Sequence, residues 1–475
     1  MKKKLTLFLA LILVFSVLAG CSPQPTGTTE EAPAAPAAPA ESAELEADVL
    51  VIGGGGAGLV SAITAAENGA KVILVEKMFA LGGNTIISAT GLTASDTALH
   101  EEAGVPFTVE DHIDRTMSMG NDLPDLELVT ILAEESNAAY EWLVSLGLEY
   151  KLNANEPWWI IPTEGHFGAQ LVAAYVEEAN RHGVEILLQT EAVDLLVEDG
   201  AVVGAKVVGK DGVESEIRAK ATILATGGFG NAPELMGEYN PKFVGAHNVM
   251  STAGPTGDGF RMALALGAGT RDMEFHQMRP LARPGYWIRE SVISAEDIGG
   301  ILVNKDAVRF TNETMKPMDL VPEVLGQEDR VAYVIFDADV VETSNGTAAY
   351  EKGKMIEADT LEELAEALGL DAEVLAATVA AYNEGQDEFG RATMGKVTRA
   401  PFYGVEVAPS SHYTMAGITI NAAAQVITDD NEPIQGLYAA GEIVGGLYGS
   451  GRVAGNNTTE NIVFGKRAGR SAAAQ

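Results

Sequence analysis

Gly53, Gly55 and Gly58 stand in the spacing G-x-G-x-x-G within the run Gly53-Gly54-Gly55-Gly56-Ala57-Gly58. That spacing suits the cradling of a diphosphate. The first glycine allows a tight turn, the second lets an anion approach the backbone, and the third lets a helix pack closely on a sheet. Gly56 and Ala57, opening that helix, would turn free N–H groups and the positive dipole end toward the phosphates. Glu76 lies 23 residues after Gly53, where a carboxylate accepts hydrogen bonds from a ribose. A glycine pair then follows in Leu81-Gly82-Gly83-Asn84-Thr85. Glycines there let backbone approach a flavin ring, which selects FAD over a nicotinamide dinucleotide.

The elements that must position these residues are short and legible. An apolar β-rich run, 47–52, leads into the glycines, a helical stretch covers 59–68, and a second β-rich run covers 71–75 and ends at Glu76. Strand, glycine turn, helix and strand in this order make the dinucleotide-binding unit of an α/β fold. Two further pieces lie far along the chain: Ala221–Gly230, a strand closed by a glycine turn, and Gly436–Glu442, a strand ending in Gly and an acid and leading to Gly449–Asn457 and a last helix. Cofactor-binding parts near both ends imply an insertion between them.

The chain has 475 residues, 47% hydrophobic and 21% charged, enough for two or three domains with real cores. Its formal charge of −36 repels phosphate backbones and excludes a nucleic-acid partner, while suiting a basic electron-transfer partner. Lys2, Lys3 and Lys4 precede an apolar run from Leu5 to Ala19, and Cys21 follows Leu18-Ala19-Gly20. This pattern reads as a cleaved secretion signal, 1–20, whose ending resembles a bacterial lipoprotein box with Cys21 as the lipidated residue. Cys21 is the only cysteine, so no disulfide, Cys-ligated metal, iron–sulfur cluster or haem attachment can be built within this sequence, and no metal site is expected. Residues 21–46, rich in Pro, Ala, Thr and Glu, read as a disordered stalk. The expected location is the extracytoplasmic face of the cell membrane.

Several segments together resemble the flavoprotein subunit family of fumarate reductase and succinate dehydrogenase, in its soluble single-chain branch. They are the Gly53–Gly58 fingerprint, Gly82-Gly83-Asn84, Ala225-Thr226-Gly227-Gly228-Phe229, Thr256-Gly257-Asp258-Gly259, Gly300–Asn304, Arg309-Phe310-Thr311-Asn312-Glu313 and the stretch 441–456. The resemblance implies a Rossmann-like FAD-binding domain, with a parallel sheet, helices and a β-rich insert, made of 47–274 and 412–475 and interrupted by an α+β clamp domain over 275–411. It adds Lys77, Thr85, Ala192, Thr226, Gly227, Asp258, Glu442, Gly455 and Asn456 to the FAD contacts. The family's membrane-bound members attach FAD through a histidine after the second strand. Residues 81–91 contain none, so FAD is expected to be non-covalent.

Reduction of an α,β-unsaturated acid needs a hydride for the β-carbon, cations or donors on the carboxylate, and a proton for the α-carbon. The resemblance assigns the carboxylate grip to Arg452 and His412 and a further substrate contact to His276. The family's proton-donating Arg falls on Pro317, and counting back from Gly300 puts Glu296 and Ile293 where its relay partners would be. That loss argues against fumarate itself as substrate. Lys316 and Tyr413 are candidate replacements, as are Arg283 and Tyr286, and Trp158 and Trp159 are candidate pocket covers for a flat or aromatic-bearing substrate. No second dinucleotide fingerprint is present for NADH, so a separate flavin-bearing carrier or quinol system is expected to supply electrons. The expected function is a surface-anchored reductase of an activated alkene in anaerobic respiration. The alternatives are a ketosteroid-type flavin dehydrogenase with tyrosines as acid and base, or a flavin electron carrier without turnover.

Overall fold

Leu45–Ile52 (β1) ends in the apolar run Val49–Ile52, and Val72–Glu76 (β2) is apolar through Val75; both runs are buried throughout, the mark of strands covered on both faces. They pair in parallel, Val49 against Val72 through Ile52 against Val75, and helix α1 (Gly56–Glu67) crosses between them. The computed structural model describes residues 45–88, 91–165, 167–246, 251–282, 300–341, 355–392 and 395–475. The signal segment, the stalk through residue 44, Cys21, Arg283, Tyr286, Ile293 and Glu296 lie outside the described residues.

Three short strands come next: Leu92–Thr93 (β3), Tyr150–Leu152 (β4) and Trp159–Pro162 (β5) form a small antiparallel sheet in the order β3-β5-β4. Glu185–Leu188 (β6), Glu191–Glu198 (β7), Ala201–Val208 (β8) and Glu214–Leu224 (β9) join β1 and β2. With Gln425–Ile427 (β17) and Pro433–Ala439 (β18) they complete an eight-stranded sheet whose spine runs β17-β18-β9-β1-β2-β6, with β7 and β8 as an antiparallel extension on β9. Along the spine, β18, β9, β1, β2 and β6 run parallel, so the mixed α/β class and the β-rich insert stand as expected. The C-terminal helix, Asn456–Ala473, packs on α1. A Cβ at Gly465 or Gly469 would come within 3.1 or 2.5 Å of α1 backbone oxygens, so small residues set how closely the two helices approach.

The middle of the chain builds a second sheet from His276–Ala282 (β11), Ile301–Val303 (β12), Ala332–Asp337 (β13), Ile356–Ala358 (β14) and Phe402–Thr414 (β15), in the order β11-β15-β13-β12 with β14 also on β15. Alternate residues face opposite cores: Leu302, Val334 and Phe336 on one side, Ile301, Val303 and Ile335 on the other, as a period of two requires. Thr270–Arg271 (β10) pairs with Gly417–Ile418 (β16). Strand β15 is continuous from 402 to 414, so the domain edge drawn at 411/412 from the sequence falls inside one strand. This continuity brings His412 and Tyr413 to the flavin side. No helix among the described residues is long and apolar enough to cross a membrane.

Candidate active site

A cavity of about 770 Å³ runs along the ends of the parallel strands, lined at one end by the fingerprint and Glu76 and at the other by Gln277, Arg279, His412, Tyr413 and Arg452. Ligands of open α/β sheets sit at such strand ends. Gly53 has φ +107°, and a Cβ on it would meet the Ala225 carbonyl oxygen at 2.3 Å. A Cβ on Gly55 would meet no protein atom within 4 Å, so backbone is bared there toward the cavity, where the diphosphate of FAD would lie. Gly55 is the N-cap of α1 without a side-chain cap, which leaves that helix end for an anion. Glu76, buried, accepts from Gly54 N and Met78 N, each at 2.7 Å, and so is held where a ribose would reach it. These features fit FAD.

Most expected cofactor contacts line the cavity: Gly53, Gly55, Gly56, Ala57, Glu76, Lys77, Gly83, Asn84, Thr85, Ala192, Thr226, Gly227, Asp258 and Glu442. Gly58, Gly82, Gly455 and Asn456 do not line it. Gly58 serves packing instead, since a Cβ there would lie 1.9 Å from the Gly53 carbonyl oxygen. Asn456 is spent on His112 (2.9 Å) and Thr116 (2.9 Å) in the interior. Asn84 is a structural hub: its Oδ1 accepts from Thr252 N (2.8 Å), Thr252 Oγ1 (2.9 Å) and Ser251 Oγ (3.1 Å). Burial alone would raise Asp258, but the Lys77 ammonium at 2.5 Å and the Thr256 hydroxyl hold its carboxyl below the ordinary range.

At the other end, Arg452 is fixed by neutral acceptors, Nη1 to Asn457 Oδ1 at 2.6 Å and Nη2 to Gln277 Oε1 at 3.0 Å, with its guanidinium 4.6 Å over the Tyr413 ring. Its Nε is buried without a partner. His412 keeps Nδ1 buried and unpartnered, and burial, then the charges of Arg279 and Arg452, push its pKa well below the ordinary imidazole value. It is therefore neutral. Arg279 is exposed and its side chain lines the cavity. Desolvation and the like charge of Arg452 lower its pKa, and no carboxylate among the described residues forms an ion pair with either arginine. Two cations beside a neutral imidazole make a receptor for an anion.

Arg279 was not anticipated from the sequence, whereas His276, three residues earlier, was. The structure turns His276 away from the cavity: it is 2% exposed, Nε2 lies 2.8 Å from Ser411 Oγ, and desolvation lowers its pKa to about 4. Strand alternation supplies the missing signal. In β11, His276 and Met278 are buried, while Gln277 and Arg279 share the cavity face. Lys316 is exposed at the N-cap of the helix Pro317–Leu325, away from the cavity. Trp159 lines the cavity. Trp158 stacks on it at 6.1 Å and carries the Arg115 guanidinium at 3.8 Å on its own ring.

A parallel sheet with a dinucleotide cradle at one end of its cavity and two arginines at the other defines an FAD-binding flavoprotein. Residues 48–458 match the family model described as an FAD binding domain. The chain is 36% identical over 442 residues to the probable fumarate reductase Ifc3 of Shewanella frigidimarina, spanning 90% of this chain and 74% of that protein. It is 33% identical to the urocanate reductase of Eggerthella lenta, spanning 90% and 75%. Identity to the NADH:fumarate oxidoreductase of Klebsiella pneumoniae is 32%, where 90% of the chain spans only 47% of that longer protein. Among solved structures, the open conformation of a flavocytochrome c3 fumarate reductase superposes with a TM-score of 0.85 at 36% identity, over 92% of this chain and 79% of that one. The chain belongs to the FAD-dependent oxidoreductase family of the fumarate reductase flavoproteins.

Proposed function

We propose that this protein reduces the C=C bond of an α,β-unsaturated carboxylate held between Arg279, Arg452 and His412. One observation carries the reading: two guanidiniums line the cavity with no ion pair to a carboxylate among the described residues. FAD, when bound and reduced, supplies the hydride. The chain's own residues do the rest. Arg452, oriented by Asn457 and Gln277, and Arg279 take the carboxylate, and the charge that builds on its oxygens as the β-carbon is reduced is stabilised by donors already in place. Neutral His412 adds a hydrogen bond without adding a third repelling cation. The segment 275–411 acts as the clamp that excludes water from this end.

The substrate is an acid other than fumarate. Pro317, where the resembling reductases carry their proton-donating Arg, is the exposed first residue of the helix Pro317–Leu325, and the Trp159 wall favours a flat or ring-bearing acid. Electrons reach the flavin from a separate carrier, and Cys21 anchors the protein to the outer face of the membrane through lipid. The test uses FAD-loaded protein reduced under anaerobic conditions and mixed with a panel of unsaturated acids and neutral enones. Rapid reoxidation by an acid supports the reading. Reoxidation by neutral enones alone would replace it with a ketosteroid-type dehydrogenase, and no reoxidation at all with an electron carrier.

A further inference from the structure

Behind the Tyr413 ring lies a buried group that anion binding does not use. Glu460, on the C-terminal helix, is 0% exposed. Its Oε2 accepts from Tyr413 OH at 2.9 Å and from Tyr448 OH at 2.6 Å, while Oε1 is buried without any partner. The Tyr413 and Tyr448 rings meet edge to face at 5.8 Å, which fixes both hydroxyls on the one oxygen. Tyr413 lines the cavity with Arg452 over its ring. The arrangement is a carboxyl with no ion-pair partner among the described residues, connected to the site through one hydroxyl.

We propose that Glu460 is the proton store of this site and that Tyr413 is the hydroxyl through which its proton reaches the substrate, with Tyr448 holding the carboxyl in place. The proposal rests on the reductase reading above. Saturating the alkene adds a hydride to the β-carbon and a proton to the α-carbon. The Tyr413 O–H bond breaks as its proton goes to that carbon, and the Glu460 O–H bond breaks as its proton passes to the Tyr413 oxygen. Glu460 is left as a carboxylate and regains a proton from water that enters the cavity once product has left. When Oε2 carries the proton it donates to one of the two tyrosine oxygens, and where that oxygen is Tyr413's, the tyrosine's own O–H is free to turn toward the cavity.

The surroundings suit a group that exchanges protons near neutrality. Desolvation raises the Glu460 pKa to about 7. The tyrosine hydrogen bonds and the charge of Arg452 oppose that rise, and the buried Glu442 adds to it. Of the elements packed on the same helix, α1 brings Glu67, which acts on Lys466, and the turn at Glu135 pairs with Arg467 at 2.6 Å. Both lie further along the helix. An anionic substrate beside Arg452 offsets the cation that favours the Glu460 carboxylate, so binding loads the proton just before it is needed.

The test begins with FAD-loaded protein and no substrate, followed by infrared spectroscopy through the neutral pH range. The carbonyl band of a protonated buried carboxylic acid is expected to fade as pH rises through about 7. It should be absent in Glu460→Gln and shifted in Tyr413→Phe. Reoxidation of reduced enzyme by the acid active in the panel is expected to slow on the order of a hundredfold in Tyr413→Phe and Glu460→Gln. Apparent substrate affinity should change little, and Glu460→Asp should recover part of the rate. The wild-type rate should fall above about pH 7, and the Glu460→Gln profile should be flat. A band that does not titrate, or a Glu460→Gln enzyme with wild-type rate and pH profile, overturns the proposal. If the panel yields no substrate, the reductase reading fails while the infrared result still decides whether Glu460 stores a proton. If Glu460→Gln fails to hold FAD, the wild-type titration and the Tyr413→Phe shift carry the decision.

Discussion

Arg452 and Arg279 differ in how they are held, and so in what their loss should do. Arg452 is braced by Asn457 and Gln277, so Arg452→Ala removes a preorganised donor pair and should lower kcat/KM for an unsaturated acid by 10²–10³, roughly 3–4 kcal/mol. Arg279→Ala should chiefly raise KM, and in neither variant should FAD content change. Steady-state kinetics with the acid found in the panel checks both. Glu460 gives a stability prediction of known sign. Its carboxyl is raised from an ordinary 4.5 to about 7 in the folded protein, so its stabilising contribution is complete below about pH 4.5 and is lost as pH rises through about 7. The shift corresponds to on the order of 3 kcal/mol. Denaturant midpoints at about pH 5 and about pH 8 should converge in Glu460→Gln and differ in the wild type. Glu313, 0% exposed, binds Arg309 through both oxygens at 2.8 and 2.7 Å and Arg391 at 3.2 Å. Glu313→Ala leaves two buried guanidiniums without their shared carboxylate and should cost about 3–5 kcal/mol in equilibrium unfolding.

At the scale of elements, the turn between β1 and α1 was legible because its demands are local. Gly53 needs a left-handed φ and an empty Cβ position against Ala225, and only glycine meets both. Gly53→Ala should therefore lower both FAD retention and melting temperature, whereas a change at the exposed Lys316 should alter neither. Absorbance of bound flavin and thermal melts distinguish the two. Strand β11 shows the opposite case. His276 has the more chemically suggestive side chain, yet the pleat buries it and offers Arg279 to the cavity. Which face of a strand meets the site depends on pairing with β15, a partner more than a hundred residues away. Gln277 and Asn457 were overlooked for a related reason. They touch no cofactor fingerprint and matter only because they hold Arg452, a contact that exists once β11 and the C-terminal helix have met.

Across the whole molecule, the parallel sheet, the FAD site and its assembly from distant segments follow from patterns in the sequence, since glycine spacing and apolar strands report local needs. The cavity's far wall follows only in part: the resemblance supplies His412, Tyr413 and Arg452, but Gln277 and Arg279 reach it only because β11 packs beside β15, which runs unbroken through residue 412. Location is a matter for the intact chain. If Cys21 bears the lipid, metabolic labelling with a fatty acid should mark the wild-type protein, and Cys21→Ser should be unlabelled and released from membranes with its FAD site intact.

The cradle opens near residue 53, but Glu442, Arg452 and Asn457 arrive only at the other end of the chain, in the segment that runs from β18 into the helix packed on α1. A polypeptide still emerging from the ribosome thus holds its fingerprint long before it can close over a ligand. Flavin uptake becomes the privilege of the finished chain, yellow colour a receipt of full-length synthesis, and any nick that frees the last forty residues should bleach the protein.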